Sequence, residues 1–444
     1  MIRDLAFQLL NQGFEVPTRE IDKMAKARNL EPRDRALLHE IVAGVTRRTG
    51  TLDAVLAVYL RRSPEKAVRT ILRIGVYELI YLERMPPHAI VSESVAVAGR
   101  RISGPTAGFV NAVLRAISNE ISFEPLQSYR PARDRFPAET RVAVFARAVL
   151  PDPMTNPTGY LAAIHTLPPF LVERWRARFG DRGAADAFRA SNDRPALMLR
   201  VNTEVMSRDA LIEALRERGF AAVPSEHPLS LRLPSRADGL FDCDEFKKGA
   251  FVLQDETQMK VADLIAPKAK EKILDLCAAP GGKATHLAQL ANDKAEIVAV
   301  DRSEDRIKRI RDNADRLQLK SIRTHALDAT IIPVPGGPFD AVLVDAPCSN
   351  TGVLARRPEA RWRVDTISLM KNQHHQIRLL TSGILSAKPG GRIVYSTCSV
   401  EPEENEAVVK NICETQGLAT LVSQETVAPA PGREGGFFAL MTRK

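Results

Sequence analysis

A chain of 444 residues, 44% of them hydrophobic, is too long for one ordinary domain and apolar enough to bury a sizeable core, so roughly two to four domains are expected and a fibrous or disordered chain is excluded. The formal net charge of +9 points toward polyanionic partners, and it is unevenly spread: residues 1–120 hold 18 Lys plus Arg against 13 Asp plus Glu, and 15 of the 18 are Arg. The five cysteines, Cys243, Cys277, Cys348, Cys398 and Cys413, are odd in number and form no C-x-x-C pair, which argues against a disulfide framework or a zinc site; no apolar run approaches the ~18 residues of a membrane span, and a soluble, cytoplasmic chain without a removed leader is the expectation.

The opening run "MIRDLAFQLLNQGF" and the segments that follow it to about residue 120 repeat apolar positions every three or four residues. In "AVRTILRIGVYELIYLE", Val68, Ile71, Leu72, Gly75, Val76, Leu79 and Ile80 share one helical face, and in "PTAGFVNAVLRAIS" Phe109, Val110, Val113, Leu114 and Ile117 do the same behind Pro105. A compact all-helical domain over 1–120 is expected, and its arginines are suited to pair with phosphates and stack on bases, although arginine on solvated faces would look the same. Residues 121–160 are rich in Pro and polar residues and read as a linker, with "TRVAVFARAVL" as a possible short helix inside it. Residues 161–250 mix a helix-like "PFLVERWRARFG", a strand-like "ALMLRVNT", a helix-like "RDALIEALRERGF" and a strand-like "LSLRLP", as a small α+β module would.

From 251 to 444 the order becomes regular. Short apolar runs, "KILDLC", "EIVAV", "AVLVDAP" and "GRIVYSTC", alternate with helical stretches such as "ATHLAQLA" and "EDRIKRIRDNADRLQ", which implies an α/β domain with a mainly parallel, doubly wound, Rossmann-like sheet. In "ILDLCAAPGGKATHLAQL" a strand enters a turn of small residues that opens a helix, the place where such sheets bind ligands. The turn lacks the G-x-G-x-x-G spacing of a dinucleotide site, which argues against a nicotinamide-dependent oxidoreductase. Asp301 closes the next strand, where an acid accepts hydrogen bonds from ribose hydroxyls, and Asp328, after a third run, is placed to receive an adenine amino group or simply to cap a turn.

Two thiols then stand at neighbouring strand ends: Cys348 in "FDAVLVDAPCSNTG", behind Asp345, and Cys398 in "RIVYSTC". A single cysteine in such a place is ordinarily a small buried hydrophobe. A pair beside a cofactor turn and an acid suits a particular chemistry. Carbon 5 of cytosine is a poor nucleophile until a thiolate adds to carbon 6, an acid at ring nitrogen 3 stabilises that adduct, and a second thiol can assist release. These residues alone leave open which thiol attacks. The acids of "EPEENE" after Cys398 suit the first turn of a helix and carry no assigned chemistry. Arg356, Arg357, Arg361 and Trp362 are candidates for holding RNA phosphates and stacking on a base, with an exposed basic loop the equally good alternative.

The set "DLCAAPGGK", "VDAPCSNTG" and "VYSTCSVEPEENE" resembles the NOL1/NOP2/Sun family of S-adenosylmethionine-dependent RNA 5-methylcytosine methyltransferases, and "EPRDRALLHEIVAGVTRR" with "GFVNAVLRAI" is similar to NusB-like RNA-binding domains. The resemblance implies S-adenosyl-L-methionine as cofactor, held by the turn Cys277, Ala278, Ala279, Pro280, Gly281, Gly282 and Lys283 and by Asp301, Asp328 and Asp345. It implies Cys398 as nucleophile, Cys348 in product release and Asp345 at the catalytic centre. With the NusB-like segment it further implies small-subunit (16S) ribosomal RNA as the partner, a monomer, and no metal or membrane; the rivals are the same chemistry on transfer RNA or another ribosomal site, and a non-catalytic RNA-binding or antitermination factor. Two departures from the family pattern stand near the site: Asn350 in place of glycine, and Gly435 in place of an acid, which is expected to leave a loop near the site without one of its side-chain partners.

Overall fold

A computed structural model describes residues 1–13, 18–233, 237, 239–331 and 334–444, with the side chains of 18 and 19 excepted; Phe14 of the opening pattern and Pro234 of "LSLRLP" lie outside the described residues. The chain forms two compact units, Met1–Asn192 and Asp193–Lys444.

The first unit starts with six helices, α1 (Ile2–Gln12), α2 (Thr18–Ala27), α3 (Pro32–Tyr59), α4 (Lys66–Tyr81), α5 (Pro87–Arg101) and α6 (Gly104–Glu120). The α4 helix is buried on most of its circumference, and all seven residues of its expected face are among the buried ones. Gly75 lets α6 come close, since a Cβ there would lie 2.6 Å from Leu114 Cδ1. On α6, Ser103 caps the first turn by accepting from the Thr106 N–H, and Val110, Val113, Leu114 and Ile117 are buried. Phe109 departs from the expected face. It lies at the edge of the stripe, is 43% exposed, and opens onto a surface groove with Pro105 and Ala112.

Residues 121–160 are not the expected linker, and "TRVAVFARAVL" is not a helix. Strands β1 (Ile121–Pro125), β2 (Arg135–Ala138) and β3 (Arg141–Phe145) form an antiparallel sheet in the order β1-β3-β2. The hairpin between β2 and β3 closes over two residues, with Glu139 left-handed at φ 57°, and this tight turn presents the β-branched and aromatic run Val142, Val144 and Phe145 as a pleat. Phe136 stacks on Phe145 with ring centroids 5.7 Å apart, and both join the core of the helical body. Helices α7 (Pro157–His165) and α8 (Pro169–Ala190) belong to the same unit. The Thr51 hydroxyl donates to Ala163 O (2.8 Å), Thr51 N–H donates to the Thr166 hydroxyl (3.2 Å), and Asn192 Nδ2 donates to His165 O (2.5 Å). The Thr51 bonds join the first part of the expected 161–250 module to the helical body, and the first compact unit extends to Asn192.

The second unit begins with that module, a sheet in the order β5-β6-β4-β7 built from β4 (Leu197–Val201), β5 (Val223–Pro224), β6 (Ser230–Leu233) and β7 (Phe251–Leu253), with α9 (Arg208–Glu217) and the short α10 (Asp244–Lys247). There follow α11 (Glu256–Ile265), β8 (Lys272–Leu276), α12 (Gly282–Leu290), β9 (Glu296–Asp301), α13 (Glu304–Arg316), β10 (Ile322–Ala326), β11 (Phe339–Asp345), α14 (Thr366–Ser386), β12 (Ala387–Thr397), α15 (Glu406–Lys410), β13 (Ala419–Val427) and β14 (Gly436–Arg443). They form the expected doubly wound sheet, seven strands in the order β10-β9-β8-β11-β12-β14-β13, with β8 to β12 parallel and β14 antiparallel to both its neighbours. Alternate strand residues feed two cores. Ile273, Ile297 and Leu343 pack with α11, α12 and α13, and Leu274, Val298 and Val344 pack with α14 and α15. The winding reverses between β8 and β11, so the crevice for a ligand lies outside their carboxyl ends.

If 121–145 is core rather than connector, Phe136→Ala should lower the unfolding free energy of the first unit by about 3–5 kcal/mol, read from urea unfolding followed by fluorescence of the buried Trp175. A change within the ~0.5 kcal/mol typical of exposed sites would restore the linker reading.

Candidate active site

The register of three strands sets the site. Leu276 of β8 pairs with Val344 of β11, and Asp345 pairs with Ser396 of β12, so Cys277, Asp345 and Ser396 end their strands side by side. Beyond these ends the chain turns, and a cavity of about 530 Å³ opens, lined by Cys277, Ala278, Ala279, Pro280, Gly282, Lys283, Asp345, Cys348 and Cys398 among others. Most of the expected site residues are therefore brought together.

The turn after β8 owes its path to special backbone. Cys277 is left-handed at φ 64° and Gly281 at φ 101°, where a Cβ would press to 3.2 Å from Ile310 Cα. At Gly282 a Cβ would meet nothing within 4 Å, so the backbone there faces open space at the amino terminus of α12. The Cys277 thiol is held well above its usual range by burial and by the nearby Asp301, which leaves it a packing group. Asp301 is 2% exposed and anchors the turn: its Oδ2 accepts from Ala279 N–H (3.1 Å) and its Oδ1 from Arg302 N–H (2.8 Å), with Arg306 3.3 Å away. Asp328 is not drawn into the cavity. It is exposed just past β10, where its Oδ1 accepts from the N–H and the hydroxyl of Thr330, and these bonds hold its carboxyl below the usual range.

Asp345 is braced from both sides, by Lys283 Nζ at 2.7 Å on Oδ2 and by the Ser396 hydroxyl at 2.8 Å on Oδ1. Lys283 also donates to Gln258 Oε1, Gln254 Nε2 donates to Gln258 O (3.4 Å), and Gln254 Oε1 accepts from Arg200 Nη1 (2.7 Å). Arg200, on β4 of the α+β module, is fully buried and donates as well to Gly282 O and the Thr285 hydroxyl, each at 3.1 Å. Burial lowers its guanidinium to about 9. Beneath the turn, Asp275 is wholly buried with no hydrogen-bond partner on either oxygen among the described residues; burial, then the charge of Asp345, pushes its carboxyl well up. Its one signal in the sequence is an acid in the middle of the apolar run "ILDLC", where charge is out of place.

The two thiols meet. Cys348 Sγ and Cys398 Sγ stand 3.2 Å apart, and Asn350 bridges them: its Nδ2 donates to Cys348 O (2.9 Å) and its Oδ1 accepts from the Cys398 thiol (3.1 Å). Asn350 is left-handed at φ 62°, a conformation glycine adopts freely and asparagine tolerates, so the substitution keeps the turn and adds a hydrogen bond. Gly352 closes the loops together. Its N–H donates to Cys398 O (2.9 Å), its C=O accepts from Gly435 N–H (2.8 Å), and a Cβ there would lie 2.6 Å from Gly435 O.

The loop at Gly435 is not short of a side-chain partner, contrary to expectation. A Cβ at Gly435 would lie 2.7 Å from Pro429, and the preceding Glu434 supplies the acid. The Glu434 carboxylate lines the cavity and pairs with Arg356, whose Nη2 also lies 3.8 Å from Asp255 and donates to Ala196 O (3.1 Å). Burial raises the Glu434 carboxyl to about 7, against the opposing pull of Arg356. Arg356 is thus committed to acids, Arg361 is fully buried and closed to RNA, and of the expected basic group Arg357 and Trp362 remain exposed, with Arg357 on the cavity wall. The acids "EPEENE" also differ from expectation: Pro402–Glu404 is a 3₁₀ turn ahead of α15, and Glu404 and Asn405 are fully buried. His374 is exposed and Cys243 is buried, and neither lines the cavity.

Comparison with known proteins matches residues 262–435 to the family described as 16S rRNA methyltransferase RsmB/F, residues 1–119 to the NusB family, and residues 167–238 to the ferredoxin-like domain of RsmF/B-like methyltransferases. The ribosomal RNA small subunit methyltransferase B of Citrobacter koseri is 32% identical over 427 residues, covering 93% of this chain and 91% of that protein. Its Escherichia coli O127:H6 counterpart is 31% identical with the same coverage. The crystal structure of PH0851 superposes with a TM-score of 0.76 at 26% identity over 95% of this chain and 93% of that one.

Because the folded Glu434 carboxyl holds its proton to about pH 7 and an unfolded one only to its ordinary 4.5, its contribution to stability is full below 4.5 and is lost as pH rises through 7. Glu434→Gln should therefore gain on the parent by on the order of 1–3 kcal/mol between pH 5 and 8, seen as a difference in melting temperature that grows with pH. A difference that is flat or shrinks would contradict the assignment.

Proposed function

The chain belongs to the RsmB/F family of 16S rRNA methyltransferases, and from that premise we propose that it methylates carbon 5 of a cytosine in small-subunit ribosomal RNA through a transient bond between Cys398 and carbon 6. The observation that carries the proposal is the pair of thiols 3.2 Å apart on the wall of one cavity, with a braced Asp345 on the same wall.

S-adenosylmethionine, when bound at the turn after β8, supplies the activated methyl group. The residues suit it: a left-handed, small-residue turn presents backbone rather than side chains, and the buried Asp301 keeps lone pairs for a ribose after anchoring Ala279. Asp328, on its exposed turn, is the candidate for the adenine edge.

The target base must leave its stack to enter the cavity. Cys398, its proton lost to solvent, forms the S–C6 bond; the electron pair of the C5=C6 double bond becomes available at carbon 5. Lys283 and Ser396 fix the Asp345 carboxyl beside the base, where it can carry a proton to ring nitrogen 3 as the adduct forms and take it back when the adduct collapses. After carbon 5 has taken the methyl group, its proton passes to water, the double bond re-forms and the C6–S bond breaks. Cys348, touching the departing sulfur, assists that release. The arginine-rich NusB-like domain would hold neighbouring RNA through phosphate contacts, with affinity that falls as salt rises. A cytoplasmic monomer acting on ribosomal RNA is the reading throughout.

Tritium from labelled cofactor should enter cytosine in small-subunit RNA, and bisulfite sequencing of a deletion strain should show the loss of a single 5-methylcytosine there. No transfer into cytosine, or loss only from transfer RNA, would overturn the corresponding half of the proposal. Cys398→Ala should abolish both methylation and covalent trapping on RNA, while Cys348→Ala should accumulate a slowly released protein–RNA adduct on denaturing gels. The opposite pattern would reverse the roles of the thiols.

A further inference from the structure

Building on that reading, we infer that Glu404 gives the two thiols their different roles, holding the loop of Cys348 so that this cysteine stays a protonated S–H donor to Cys398.

Glu404 has no exposed surface, and every donor the structure gives its carboxylate is neutral: the N–H of Ser349 (2.8 Å), the hydroxyl of Ser349, Asn372 Nδ2 (2.8 Å) and Gln376 Nε2 (3.3 Å). A carboxylate buried without a cation is costly unless its lone pairs are filled, and here the filling groups are the ones that flank a thiol. Ser349 follows Cys348. On the other side, Gln376 Nε2 also donates to Pro347 O (2.9 Å). Both neighbours of Cys348 are therefore gripped, and its sulfur is held 3.2 Å from that of Cys398.

The next residue treats the other loop differently. Asn405 Oδ1 accepts from the Thr397 hydroxyl (2.6 Å) and its Nδ2 donates to Ser399 O (3.0 Å), so a neutral amide brackets Cys398 as the carboxylate brackets the Cys348 loop. Of these two bracketing side chains, only the one at the Cys348 loop is a carboxyl. The titratable groups facing Cys348 are Cys398, Glu404, the buried phenol of Tyr395, which donates to Glu404 O (2.6 Å), and across the cavity Asp345 with Lys283; Arg357 stands exposed on the cavity wall. The hydrogen bond to Cys398, burial and the charge of Glu404 all push the Cys348 thiol up. With its loop fixed in this way, Cys348 is placed to act as the S–H donor to Cys398, stabilising that sulfur as attacking and as leaving group without any transfer between the sulfurs. Glu404 is a positioning residue acting through Cys348.

The test is the pH profile of alkylation by iodoacetamide on the full-length protein, without RNA or cofactor, as initial rates at each cysteine from peptide mass spectrometry. In the parent, Cys398 should react several-fold faster than Cys348 at pH 8. Glu404→Gln removes the charge at constant size and should move the half-reaction pH of Cys348 downward. Asn405→Asp places a charge on the other side and should raise that of Cys398 while leaving Cys348 in place. If either variant fails to fold, as judged by its melting temperature, the other decides; a folded variant whose targeted profile does not move overturns the inference. Alkylation is independent of methyl transfer, so a parent protein that failed to methylate cytosine would refute the functional reading without altering this result.

Discussion

Everything at this site depends on the parallel register of three adjacent strands, β8, β11 and β12. Because Leu276 lies opposite Val344 and Asp345 opposite Ser396, three chain segments far apart in sequence end at one level and turn into one space. Backbone hydrogen bonds make that convergence; side chains then specialise it. Ser396 reaches across the ladder to Asp345, Lys283 reaches from the opposite turn, and Gly352 seals the Cys398 loop to the segment that carries Glu434.

The chemistry is legible where it sits on regular elements. Apolar runs alternating with helices reveal the doubly wound sheet, and the carboxyl ends of those runs reveal the turn, Asp301, Asp345 and both thiols. What stays hidden depends on partners distant in sequence. Glu404 reads as one acid of a helix start until the Ser349 loop is seen to close over it. Arg356 and Arg361 read as an exposed basic cluster, whereas one is held by Glu434, 78 residues away, and the other is inside the protein. Glu434 itself is invisible next to the more conspicuous Gly435.

The clearest failure, residues 121–145, has a local cause. Proline and polar residues normally break structure, but here they bound a hairpin, and the period-2 signal of five-residue strands is short enough to resemble a helical fragment. Burial of Phe136 against Phe145 outweighs the composition of the surrounding chain.

Arg200 brings a mechanical consequence. Its guanidinium cannot leave Gln254, Gly282 and Thr285 without stranding a cation and its acceptors in a dry interior. The strand that bears it and the turn at Gly282 therefore move as one body. The separation between the α+β module and the start of α12 is then fixed when the protein folds.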